Sequence, residues 1–270
     1  MAARLLTVTA LVASLALPAG ADDTVRNPLS DGDTWGILRE NVVGDAEIAD
    51  GSALFTVDAP YRANDAATVP VRIKQTNTGD FIREATVVID ENPAPVAANF
   101  GFSGAMAPLD FEMRVRVNQY SNVRVIAETD DGLAMTGRFV KASGGCSAPA
   151  SRDPEVALAS MGEMKMRLFS KDAQMSTPRR EAQIMVRHPN YSGLQRDQIT
   201  QLFIPVHFID HMEVWQGEDL LFTMEGGISI SENPVFRFTY TDNGATALRV
   251  IATDTEGNRF EQVLPKAAES

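Results

Sequence analysis

The chain has one cysteine, Cys146, so no disulfide can form within it, and no second thiol is available as a soft metal ligand. Histidines number three and tryptophans two in 270 residues. Basic charge is also short: 24 Lys and Arg stand against 36 Asp and Glu, a formal net charge of −12. No basic stretch with interleaved aromatics offsets that balance, which repels nucleic acid and anionic membrane surfaces. Neither a Gly-rich phosphate loop, nor a nucleophile elbow, nor a paired zinc motif is present. Beyond residue 17 no apolar run approaches the length of a membrane span.

The start of the chain reads as an export signal. Met1 to Arg4 is a short positive start, Leu5 to Leu17 is almost wholly apolar, and Ala19-Gly20-Ala21 fits the small-residue cleavage rule. Residues 1–21 are therefore expected to be a signal peptide cleaved before Asp22, with a periplasmic mature protein; the alternative is an uncleaved membrane anchor. Without an Arg-Arg pair, the general secretory route is expected. Removing Arg4 with the signal moves the formal charge from −12 to −13 and leaves 270 minus 21, or 249, residues. That length suits one large or two modest domains.

After a helix expected over Asp33 to Val42, with Asp33 as N-cap, the pattern is β throughout. Ala53 to Val57, Thr68 to Ile73, Ala85 to Ile89, Asn99 to Phe102, Phe111 to Val117, Asn122 to Ala127 and Met135 to Val140 are β-branched, apolar or alternating runs bounded by turn residues. Met164 to Phe169, Ala182 to Val186, Ile204 to Val214, Ser231 to Tyr240, Ala247 to Ala252 and Phe260 to Leu264 continue it. No βα alternation appears, so the expected fold is all-β, with two immunoglobulin-like sandwiches. The boundaries are residues 22–140 for the first, 141–158 for a linker and 159–270 for the second. An internal echo supports related halves: Val123 to Gly132 resembles Leu248 to Gly257, and Glu91-Asn92-Pro93 recurs as Glu232-Asn233-Pro234.

The linker from Lys141 to Pro154 is built of Gly, Ser, Ala and Pro and reads as flexible. Cys146 lies within it. Gly144 and Gly145 have no side chains to shield the sulfur, so the expected arm is Gly144, Gly145 and Ser147 around an exposed thiol. Six residues from Val140 would reach roughly 20 Å. A catalytic cysteine needs a fixed base and an oxyanion site; a flexible tether supplies neither, so a carrier is expected rather than an enzyme. An unpaired exported thiol also leaves open an incidental residue or a disulfide-linked dimer through Cys146.

The histidines point weakly to metal. His207 and His211 are four apart, about 13 Å on a strand, and His188 precedes Pro189 at a strand end. Met161, Met164, Met166 and Met175 could form a thioether copper box, but the alternation of Met164 to Leu168 is that of a strand packed on a core. No metal, catalytic or cofactor-binding residue is assigned.

Ser143-Gly144-Gly145-Cys146, together with Val69-Pro70-Val71, Glu91-Asn92-Pro93, Phe100 and Phe102, resembles SoxY. Arg187-His188-Pro189, Gly193, Arg196-Asp197, Ile204 to Ile209 and Ser231 to Pro234 resemble SoxZ. The whole resembles a fused SoxYZ-like carrier of the kind associated with quinoprotein dehydrogenases. That resemblance implies two immunoglobulin-like domains in contact and a sulfur intermediate held covalently on Cys146, with no other cofactor. Periplasmic sulfur-metabolising or redox enzymes would be its partners, among them a quinoprotein dehydrogenase system. The alternative is an accessory module that docks on such a dehydrogenase with the cysteine dispensable. Two departures from SoxY stand out: Ser147 replaces a glycine, and the arm is internal rather than terminal.

Overall fold

The structure is a computed structural model that describes residues 27–150, 154–169 and 178–266. The expected signal peptide and Met175 fall outside the described residues. All thirteen expected β runs recur at least in part as strands, and two strands were not anticipated: β1 (Ile48–Asp50) and β12 (Asp219–Gly226). Apolar character in β12 is confined to Leu220, Leu221, Phe222 and Met224, too short a stretch to separate from the preceding run.

The first half comprises β1, β2 (Phe55–Asp58), β3 (Val69–Gln75), β4 (Glu84–Ile89), β5 (Val96–Phe102), β6 (Asp110–Val115), β7 (Ser121–Thr129) and β8 (Gly132–Val140). The second comprises β9 (Met164–Phe169), β10 (Arg179–Val186), β11 (Ile209–Gln216), β12, β13 (Val235–Thr241), β14 (Ala247–Asp254) and β15 (Arg259–Pro265). Strict alternation builds the sandwich faces: in β14 every second residue is buried, so Leu248, Val250 and Ala252 point into the core. Ile204 to Phe208 is not part of β11, although His207 makes an isolated bridge to Tyr191.

The two sandwiches are not beads on a string. Their sheets are continuous across the seam, in the orders β1-β8-β7-β4-β5-β12-β11-β14-β15 and β2-β3-β6-β13-β10-β9. β5 pairs antiparallel with β12, and β6 pairs antiparallel with β13. Phenylalanines from both halves meet behind these pairings: Phe111 lies 4.9 Å from Phe100 and 5.1 Å from Phe222, which in turn lies 5.1 Å from Phe238. Each buried ring contributes roughly 2 kcal/mol of hydrophobic stabilisation, so the halves share one core.

Counted outward from the seam, β7 and β14 occupy corresponding places, as do β8 and β15. The echo between Val123 to Gly132 and Leu248 to Gly257 therefore has a structural counterpart. The Glu-Asn-Pro echo has none: residues 91–93 join β4 to β5, whereas 232–234 precede β13.

The expected helix is α1 (Thr34–Val43); Asp33 precedes it without a side-chain capping bond. No residue of α1 is buried, and it is held instead by its contacts with the first half. Trp35 lies 4.7 Å from the Arg124 guanidinium, and Thr34 donates to Glu91 at 2.6 Å. With Ser30 bonded to Asn122, this N-terminal cover explains why β7 is buried on both faces rather than alternating.

The segment expected to be a flexible linker is a correction. Over residues 141–148 it is docked against both halves, and its end forms a short helix, α2 (Pro154–Ala159). Small residues permitted close packing here rather than mobility.

Candidate carrier site at the seam

Cys146 is fully buried, not exposed. Its segment lies over the seam and is held by backbone bonds to the first half. The Gly144 N–H donates to Asn118 O at 2.8 Å, and the Gly145 N–H to Val117 O at 3.0 Å. The second half closes from the other side: Ser192 Oγ donates to the carbonyl oxygen of Cys146, and Gln195 Nε2 to that of Ala148 at 2.9 Å. Directly after Cys146, Ser147 is exposed and turns back, its N–H donating to Gly144 O.

The glycines serve proximity. A Cβ on Gly145 would lie 2.1 Å from Ala66 O and 2.7 Å from both Val117 N and Val117 O, so only glycine fits. A Cβ on Gly144 would only touch Ser147 Oγ, at 3.9 Å, but its φ is +79°, a left-handed conformation that favours glycine.

Arg116 reaches under this arm. Its Nη1 donates to Gly145 O and its Nη2 to Asn190 O, each at 3.2 Å. Burial pushes the Cys146 thiol up to about 11, and the Arg116 charge only partly opposes it. The docked thiol is therefore protonated near neutrality and unreactive as a nucleophile.

The loop carrying Asn190, Ser192 and Gln195 is anchored by a buried cluster. His188 and His207 both direct Nε2 to Asp254 Oδ2, at 3.3 and 2.8 Å, and their rings meet edge to face at 4.7 Å. The Asn190 N–H donates to His188 Nδ1 at 3.1 Å, so the His188 proton sits on Nε2 and points at Asp254. Asp254 also accepts from Asn258 N and Nδ2 and from Glu256 N. Burial raises the Asp254 pKa, but the bonds from Asn258, His207 and His188 outweigh it and lower the group to about 2. Burial likewise lowers the His188 pKa.

His188, His207 and Asp254 place one ligand atom each within 4.8 Å of one another. The donor pattern nonetheless suits a hydrogen-bonded lock: a metal at His188 Nε2 would need the lone pair that the N–H occupies. His211, the third histidine, lies apart on β11. Burial lowers its pKa, but Glu225 at 2.6 Å and Glu213 at 3.2 Å outweigh burial and raise it. Met164 is buried in β9 and Met166 packs against the same core, as its alternation implied.

Sequence reading singled out Cys146, Gly144, Gly145 and Ser147 and missed Arg116, Asn190, Ser192 and Gln195. Arg116 follows an alternating run whose charged members face solvent, and it turns inward one residue past the end of β6. Nothing local marks that turn.

The thiol is thus held at the seam of two joined sandwiches, with residues of both halves against its segment. Residues 39–146 match the family described as sulfur oxidation protein SoxY, a match that ends on Cys146 itself, and residues 166–265 match sulphur oxidation protein SoxZ. The chain belongs to the fused SoxYZ-like carriers of sulfur oxidation. SoxY and SoxZ are in general carrier or accessory proteins that interact with each other and work with sulfur-metabolising enzymes. Among solved structures, the sulfur carrier protein SoxY from Chlorobium limicola f thiosulfatophilum is 23% identical. That likeness covers 40% of this chain and 96% of that one, with a TM-score of 0.34. No curated protein matches the chain.

Proposed function

We propose that this protein is a periplasmic carrier that holds a sulfur-containing intermediate covalently on Cys146 and presents it to sulfur-metabolising enzymes. The observation that carries this is the junction itself: the chain's only thiol stands where the SoxY match ends, on an arm built of Gly144 and Gly145. Export rests on the signal-like residues 1–21.

Presentation requires undocking, because the sulfur has no exposed surface. The arm is held by several hydrogen bonds, each worth about 1 kcal/mol net, and undocking restores chain entropy that offsets part of them. Between Lys141, bridged to Arg62, and α2 the released segment forms a loop tethered at both ends. The loop that covers Cys146 continues into Ile199, Leu202, Phe203 and Val206, all exposed apolar side chains suited to a protein partner.

Intact-mass measurement of protein purified without reductant, then treated with inorganic polysulfide, tests the reading. A sulfur adduct that is lost in Cys146→Ser is expected; an unmodified mass throughout would count against it.

The burial of Cys146 favours a second reading, an accessory module docking on a quinoprotein dehydrogenase with the cysteine dispensable. Full pathway function in a Cys146→Ser strain would select it. A disulfide-linked dimer through Cys146 also requires the arm to undock, and non-reducing electrophoresis reads it directly.

A further inference from the structure

Arg116 is among the largest fully buried side chains of the protein, at 1% exposure. Its counterpart in β7, Arg124, is also buried, but Asp90 pairs with it through bonds of 2.9 Å. Arg116 has no such carboxylate within ion-pair distance among the described residues. Two of its nitrogens meet neutral carbonyls, those of Gly145 and Asn190, and its buried Nε has no acceptor. A cation buried this way carries a large desolvation cost, and two neutral acceptors return only part of it.

The bond to Gly145 O sets the guanidinium beside the peptide that carries Cys146. Burial lowers the Arg116 pKa; Cys146, then Glu232 and Asp65, are the groups whose negative charge would oppose that. The docked thiol is neutral near pH 7, so the empty carrier leaves the charge uncompensated. A persulfide is a stronger acid than a thiol and carries its charge one atom further out.

We propose that the docked arm is built for the loaded carrier: Arg116 is the receptor for the negative charge of a persulfide on Cys146, and loading draws the arm into the seam. This rests on the carrier reading. Loading takes place on the undocked arm. The Cys146 thiolate attacks a terminal sulfur of inorganic polysulfide, a new S–S bond forms to Sγ, and the adjoining S–S bond of the polysulfide breaks. The shortened polysulfide leaves with the electron pair, so charge balances and no further oxidant is consumed. Retraction then shields a reactive sulfane sulfur from water and stray thiols until a partner draws the arm out.

The test compares hydrogen exchange of residues 141–148 in the full chain with Cys146 as the persulfide, made with inorganic polysulfide, and as the S-methyl thioether. The two adducts add one heavy atom each and differ in charge. Exchange at Gly144 and Gly145 is expected to be about tenfold slower in the persulfide, the effect of one charge-assisted bond. In Arg116→Gln the difference should vanish; should that variant not fold, the comparison in the unchanged chain decides alone. Equal or faster exchange in a persulfide confirmed by intact mass overturns the role of Arg116 and leaves the carrier reading standing. Failure of any persulfide to form on Cys146 overturns both.

Discussion

The Ser192 hydroxyl donates to the carbonyl oxygen of Cys146, so a residue of the SoxZ half holds the backbone of the thiol that closes the SoxY half. The carrier site is thus a property of the joined halves. In either half alone, one side of the arm would be missing.

Removing that bond should free the arm without disturbing the core. Ser192→Ala is expected to raise the rate of Cys146 alkylation about fivefold, the effect of losing about 1 kcal/mol of docking, with little change in melting temperature. An unchanged rate would mean that the Ser192 bond does not hold the arm.

The two glycines should respond differently. Gly145→Ala sets a methyl group against Ala66 and Val117 backbone and is expected to expel the arm, leaving Cys146 as reactive as a free thiol. Gly144→Ala makes only an ordinary contact with Ser147 but must adopt a φ of +79°, at a cost of roughly 1–2 kcal/mol, so its thiol should stay partly protected. Timed alkylation followed by mass spectrometry separates the two.

Alkylation should also carry a distinctive pH dependence. The folded thiol pKa is raised from 9.0 to about 11, so the docked state is favoured fully below pH 9 and loses its advantage as pH rises towards 11. The reaction rate is expected to climb past pH 9, where a free thiol levels off, and to flatten only near 11. Levelling at pH 9 would show that the thiol is not protected by docking.

Asp254 anchors the loop that supplies Asn190, Ser192 and Gln195. Asp254→Asn is expected to destabilise the protein by about 3 kcal/mol, as loss of one member of a buried charged network does, and to increase Cys146 reactivity. Urea unfolding measures the first effect and alkylation the second. Acid should act in the same direction. The His188 pKa is depressed below its ordinary 6.5, so its contribution is lost as pH falls beneath that value. The Asp254 contribution is present above 3.8 and disappears as pH falls towards about 2. A melting temperature constant from pH 7 to pH 3 would contradict both.

Much of the fold was legible because period-two alternation is local. Runs such as Val235–Thr241 and Ala247–Asp254 declare a buried and a solvent face residue by residue. The pairing of β5 with β12 was not, since nothing in either strand names its partner and the two residues of a pair such as Phe102 and Phe222 are far apart in sequence. The histidines show the same limit: the spacing of His207 and His211 set them too far apart on a strand to act together, whereas His207 meets His188, nineteen residues earlier, at Asp254.

The sequence by itself determined that this protein has one thiol, that the thiol follows two glycines, and that strands flank it on both sides. Composition and local periodicity carry that information without reference to distant residues. Only the tertiary structure decided whether the thiol is free or docked, what its pKa is and which cation lies beneath it. Those properties arise from burial between halves, where Arg116, Asn118 and Ser192 converge on one short segment from separate stretches of chain. The same glycines that read as freedom in the linear chain act in the folded one as the space that lets two backbones touch.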